Sequence, residues 1–212
     1  MKFIGTSHIS PESIIEVETT IKEYQPDIIC IELDKRRLYS LIHNKSNKSR
    51  IRFTNISEFV ISLIGAYVEK KLGKLVGTKP GDEMKKAIEI ANKNKLKLAL
   101  IDQDIKITLK KLAKIPKREK WKIVKDILFG FFNKKKRIKI DLKKVPPEKF
   151  IEQILEETKT QYPSIYNILI KERNQIMAKN LSKLEDNNKE QKILVIIGAG
   201  HVKGIKKILS GS

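Results

Sequence analysis

The sequence predicts an α/β protein with a mostly parallel central sheet flanked by helices and a helical insertion before the last strand. Three observations carry this. Four short runs are aliphatic without polar alternation, as strands covered on both faces are. The stretches between the first three carry helical periodicity and helix-start signals. Residues 106–184 show no strand pattern, only helical stretches broken by prolines and one glycine-containing run.

In chain order, the first strand is expected over Lys2–Ile4. Ser10 followed by Pro11 reads as an N-cap with proline at N1, opening a helix to Tyr24. The second strand is "DIICIEL", Asp27–Leu33. Helices follow over Lys35–His43, Ser57–Leu72 and Gly81–Asn94, and the third strand is "KLALI", Lys97–Ile101. The insertion breaks at Pro116, at "GFFNKKKR", at Pro146-Pro147 and at Pro163, before the last strand, "KILVII", Lys192–Ile197. The chain reads as one domain, 1–212, with 1–105 and 186–212 as α/β core and 106–185 as a basic helical insertion.

Each strand runs into polar residues: Gly5-Thr6-Ser7-His8, then Glu32 and Asp34, then Asp102 and Asp104, then Gly198-Ala199-Gly200-His201. Ligands of open parallel sheets bind outside the carboxyl ends of the strands. If the strands are parallel neighbours, His8, Glu32, Asp102 and His201 converge there. Glycine is 10 of 212 residues, yet two of the three histidines follow a glycine by three positions, a coincidence of roughly one in a hundred.

Glycine at that offset lets the chain turn off a strand and approach a ligand or another backbone closely. The histidine then falls near a helix start, whose positive dipole end disfavours imidazolium. Neutral imidazole is what a metal ligand or a general base requires. His8 and His201 with Glu32 make a His₂Glu set for a divalent ion of the Mn, Co or Zn class. Without metal the same set activates water by general base catalysis. A lone histidine at such a turn is more often structural, and the repetition is what argues for chemistry. Glu32, ending an apolar strand, is costly unless paired or ligating. Asp104 reads as a helix N-cap and His43 as a solvated loop residue. In "LIKERNQIMAKNL", Glu172 falls on the apolar stripe of Ile165, Ile168, Leu169 and Ile176. This suggests a buried ion pair or site wall, or an edge-of-face salt bridge with Arg173 beside it. Asp82 and Glu83 suit a helix's first turn. "GAGHVKG" is not a dinucleotide fingerprint, because the chain ends eight residues after Gly204 without a second strand.

The net charge of +20 is uneven: Lys106–Lys144 holds 16 Lys or Arg against three acids. In "KREKWKIVKDILFGFF", Trp121, Val124, Leu128 and Phe131 mark an apolar stripe expected to pack on the protein itself or on a second copy in a homodimer, with an anionic membrane surface as the alternative. No nucleic-acid recognition motif is present. The single cysteine, Cys30, fits a reducing compartment and a buried position. The longest apolar run, "FVISLIGAYV", is about half a membrane span, and "MKFIGTSH" lacks a signal-peptide core, so the chain reads as soluble.

Taken in order, "GTSHIS", "PDIICIELDKRR", "PGDEMKKAIEIA", "LIDQDIKITLKKL", "IKERNQIMA" and "VIIGAGHVKGI" resemble the TraB/PrgY/GumN family, which includes pheromone-shutdown proteins and is related to TIKI metalloproteases and to ChaN-like and erythromycin-esterase-like proteins. The resemblance implies an α/β fold with a helical insertion and a metal-dependent peptidase site. By motif it carries over His8, Glu32, Arg37, Glu83, Asp102, Glu172, Arg173 and His201, with a peptide or small molecule as ligand. The rival expectation is a non-catalytic module that sequesters such a ligand. Two positions depart from the family pattern: Gln103 stands where arginine is usual, and Asn174 where aspartate is common. Many family members carry C-terminal transmembrane helices. The resemblance with the basic surface therefore implies a cytoplasmic domain, free or membrane-anchored.

Overall fold

A computed structural model describes residues 1–7, 10–43, 81–130 and 145–211. The helix expected over Ser57–Leu72 and the basic run 131–144 lie outside them. Four strands, β1 (Lys2–Thr6), β2 (Ile28–Ile31), β3 (Lys97–Leu100) and β4 (Ile193–Gly198), form one sheet in the order β1-β4-β2-β3, with every pairing parallel. Thr6 pairs with Gly198, Ile31 with Ile196, and Ile31 with Leu100. That register brings Ser7, Gly198, Glu32 and Asp102 to the same edge.

The aliphatic strands are covered on both faces, and their alternation sorts side chains between two cores. Ile29, Ile31, Leu33, Leu194 and Ile196 face Val17 and Ile21 of α1 (Pro11–Tyr24) and Met84, Ala87, Ile88 and Ala91 of α3 (Asp82–Lys93). Ile28, Cys30, Ile193, Val195 and Ile197 face Met177, Ala178 and Leu181 of α8 (Glu172–Asp186) and Ile205 of α9 (Ala199–Leu209). Each aliphatic side chain so buried contributes about 1.5–3 kcal/mol. The last helix of the basic insertion is therefore itself a layer of the core.

Between α3 and α8 lie α4 (Ile105–Ala113), α5 (Lys117–Gly130), α6 (Glu148–Gln161) and α7 (Pro163–Tyr166). A π-helical turn, Asn167–Lys171, joins α7 to α8. The prolines act as the sequence predicts: Pro116 separates α4 from α5, Pro147 precedes α6 and Pro163 opens α7. Leu112, Ile115, Ile123 and Val124 pack against Tyr162, Ile165, Ile168 and Leu169.

Here one expectation is corrected. Trp121 is 66% exposed, so the buried face of α5 is not the Trp121 stripe. Buried Glu119 accepts from Ser164 N (3.2 Å) and Ser164 Oγ (2.7 Å), capping α7. Satisfying that carboxylate turns Glu119 and Ile123 inward, which puts Trp121 on the opposite side of the helix.

Candidate functional site

Glu32 follows β2 in the alternation that sends Ile28 and Cys30 toward α8 and α9. It is 2% exposed, and a carboxylate so buried must be paired. Its Oε2 accepts from Gly198 N at 2.6 Å, and its Oε1 accepts from Arg173 Nη2 at 2.5 Å. The same guanidinium grips Asp102 with two bonds, Nη2 to Oδ2 at 2.7 Å and Nε to Oδ1 at 3.2 Å. Burial alone would lower the Arg173 pKa, but Asp102 and Glu32 outweigh it and hold it above the ordinary arginine range, so the cation persists. Arg37 Nη1 closes the group, donating to Asp102 Oδ2 (3.3 Å) and to Glu32 O (3.2 Å). Two carboxylates thus face two guanidinium groups, and only the arginine edges reach solvent.

Arg37 is aimed by Asp34, which caps α2 (Lys35–Ile42). Asp34 Oδ1 accepts from Arg36 N (2.7 Å) and Arg37 N (3.2 Å), while Oδ2 accepts from Ile105 N (3.2 Å) at the start of α4. One side chain therefore ties two helix starts together beside the cluster.

His201 is the third residue of α9 and is 5% exposed. Gly5 permits this placement, since a Cβ there would lie 3.0 Å from Val202 Cγ2 and 3.2 Å from Ala199 Cα. His201 Nε2 lies 3.3 Å from Arg173 Nη1, and Nδ1 lies 2.6 Å from Asn174 Oδ1. Arginine can only donate, so Nε2 is the acceptor and Nδ1 carries the proton toward Asn174: the neutral tautomer. Glu32 Oε1 stands 3.6 Å from Nε2, where it would stabilise a protonated ring. Sequence reasoning did not assign Asn174 this role. The available signal was its position next to Arg173, on the same helix face as Met177, Ala178 and Leu181.

Glu172 goes elsewhere. Extending the stripe of Ile165, Ile168 and Leu169 as a regular helix places Glu172 inward, but the π turn inserts a residue and advances the phase by one. Arg173 and Asn174 consequently point at the cluster. Glu172 instead accepts from Lys111 Nζ (2.7 Å) and Asn167 Nδ2 (3.0 Å), on the wall of an open cavity of about 490 Å³ shared with Lys114, Pro116 and Ser164. Arg173 Nη1 also donates to the carbonyl of Leu169, within the π turn, at 3.3 Å.

Glu83 is 2% exposed and heads the buried face of α3, on the side of the sheet opposite α8 and α9. Asp104 caps α4, accepting from Lys106 N (2.8 Å), and Arg36 pairs with it at 2.9 Å. The amide bond to Lys106 and the bond from Arg36 hold the Asp104 carboxyl below its usual range. Gln103 is buried and donates to Thr108 Oγ1 (2.9 Å), an internal bond of the α4 start. His43 is the C-cap of α2, its ring 4.2 Å from that of Tyr39.

His8 lies outside the described residues. Among the described residues no three His, Cys, Asp or Glu side chains form a metal-holding group. Arg173 supplies the positive charge between Glu32, Asp102 and His201, and both Glu32 oxygens are engaged. This part of the donor set fits a guanidinium and not a divalent ion.

The model of the TraB/PrgY/gumN family matches residues 2–211. The chain belongs to this family. An uncharacterised protein of Methanocaldococcus jannaschii is 41% identical over 216 residues, covering 97% of this chain and 52% of that protein. TraB domain-containing proteins of Bos taurus and Homo sapiens are each 24% identical over 232 residues, covering 96% of this chain and 61% of theirs. The chain thus spans between half and two thirds of the length of these relatives. Among the described residues of this TraB-family domain, no helix is long and apolar enough to cross a membrane.

Proposed function

We propose that this TraB-family domain is a hydrolase of peptide bonds, with His201 as general base and Arg173 as the cation that receives the developing oxyanion. The observation that supports this most is the placement of one neutral imidazole nitrogen 3.3 Å from Arg173 Nη1 and 3.6 Å from Glu32 Oε1. A water oxygen attacks the carbonyl carbon while His201 Nε2 takes its proton. Glu32 stabilises the imidazolium, and Arg173 turns Nη1 from the ring to the carbonyl oxygen as its charge grows. Collapse breaks the C–N bond, and the proton returns from His201 to the leaving amine. Asn174 holds the tautomer; Asp102 and Arg37 hold Arg173.

The burial of Glu32 and His201, with only guanidinium edges exposed, favours a second reading: a cleft that sequesters a peptide by its carboxylate without cleaving it.

The deciding experiment incubates the full chain with a defined peptide pool, with and without chelator, follows cleavage by mass spectrometry, and measures bound metal in wild type and His201→Ala. Cleavage that survives chelation and is lost in His201→Ala supports the base mechanism. Cleavage that requires Mn, Co or Zn, with metal lost in His201→Ala, replaces it with a metal-dependent one that draws on further ligands such as His8. Peptide retention without cleavage under every condition leaves the sequestering reading.

A further inference from the structure

The outward face of α5 is unlike the rest of the protein. Glu119 and Ile123 define its inner side, and Trp121 is rotated about 200° from Glu119 on a 3.6-residue helix. Lys117, Arg118 and Lys125 fall within about 60° of Trp121 on that same outer side, and all three are exposed. The chain's only tryptophan therefore stands 66% exposed, flanked by three cations. Residues 105–126 as a whole hold nine Lys or Arg against two acids, Glu119 and Asp126. Both acids are engaged within the lobe, Glu119 by Ser164 and Asp126 by the Tyr162 hydroxyl. Neighbouring α4 adds exposed aliphatic groups, Ile107 and Leu109, between Lys106 and Lys110.

We infer that this lobe is a docking surface for an anionic lipid bilayer, with Trp121 entering the interface and Lys117, Arg118 and Lys125 pairing with headgroups. Charge complementarity selects the occupant. A second copy would bring like charges face to face, whereas an anionic surface is attracted by about 1 kcal/mol per cation. An indole sits well at the headgroup boundary, and aliphatic Ile107 and Leu109 can enter acyl chains but cannot stack on bases. Docking leaves the Glu32–Arg173–His201 cluster untouched, because Glu119 and Ile123 turn the opposite side of α5 toward the protein. The inference is thus independent of whether that cluster is catalytic.

The test uses the full chain with vesicles of phosphatidylcholine alone and of phosphatidylcholine containing about one third phosphatidylserine. Co-sedimentation with the anionic vesicles only, weakened by salt, together with a blue shift of the single tryptophan's emission, is the expected result. The triple variant Lys117→Glu, Arg118→Glu, Lys125→Glu lowers the partition about a hundredfold, and Trp121→Ala lowers it with its circular dichroism unchanged. Failure to bind anionic vesicles at low salt overturns the inference. So does binding without a tryptophan shift, or a triple variant that binds as wild type. An equal shift produced by an RNA oligonucleotide, or by raising protein concentration without lipid, reassigns the surface to nucleic acid or to a second copy and equally overturns it.

Discussion

Arg173 Nη2 and Glu32 Oε1 meet 2.5 Å apart at the carboxyl end of β2, although 141 residues separate them in the chain. The pair is buried on both sides, so its two halves depend on each other more than an exposed salt bridge does.

Replacing Arg173 by alanine leaves Glu32 and Asp102 buried without their shared cation. The expected loss is about 3–5 kcal/mol of stability, read from urea unfolding. Arg173→Lys keeps the charge but cannot reproduce the two-bond grip on Asp102, and it should recover only part of that loss. A variant of wild-type stability in both cases would show that the guanidinium does not neutralise the cluster.

Gly204 tests the positioning of His201. A Cβ there would stand 2.2 Å from Asn174 Nδ2 and 3.2 Å from Asn174 Cγ, so Gly204→Ala must push Asn174 away from the imidazole. Alanine normally strengthens a helix by about 1 kcal/mol over glycine. Here we expect a loss of about 1–3 kcal/mol instead. Truncating Asn174 to alanine in the same chain should relieve the clash, a coupling visible in a double-mutant cycle. The His201 ring proton resonance should move in Gly204→Ala, whereas a purely steric defect remote from the ring would leave it in place.

Asp34→Ala removes acceptors for three backbone amides, two in α2 and one in α4. A cost of about 1–2 kcal/mol is expected in thermal unfolding. Asp34→Asn should retain most of the cap. Because Arg37 is held by that same turn, Asp34→Ala should also weaken any peptide binding at the cluster, whereas His43→Ala, remote from the cluster contacts, should not.

Burial pushes the Cys30 thiol up to about 12. A folded-state pKa above the unfolded one means the contribution is intact below the unfolded thiol's pKa and is lost as pH rises through the folded value. Stability should therefore decline between about pH 9 and 12, with a slope from this group of up to about 1.4 kcal/mol per pH unit. Cys30→Ala should show a shallower decline. Alkylation of the native protein at pH 8 should be far slower than in urea, and equal rates would contradict the burial.

The strands and several helices were legible because their causes are local. Unbroken aliphatic runs have only one way to hide both faces, and Pro11, Asp34, Asp104 and Pro163 sit where helix starts need them. The carboxyl-end clustering of Glu32, Asp102 and His201 followed from the parallel sheet alone. What tertiary structure decided is which neighbour of a pair faces inward. Glu172 and Arg173 are adjacent, and a regular helix would have turned Glu172 to the core; one extra residue in the π turn turned Arg173 there instead. Trp121 was misplaced for a related reason: the helical period fixes which residues share a face, but only the buried Glu119–Ser164 contact fixes which face is covered. A sequence's period is a property of one helix, whereas its absolute rotation is set by the partners that satisfy its buried charges.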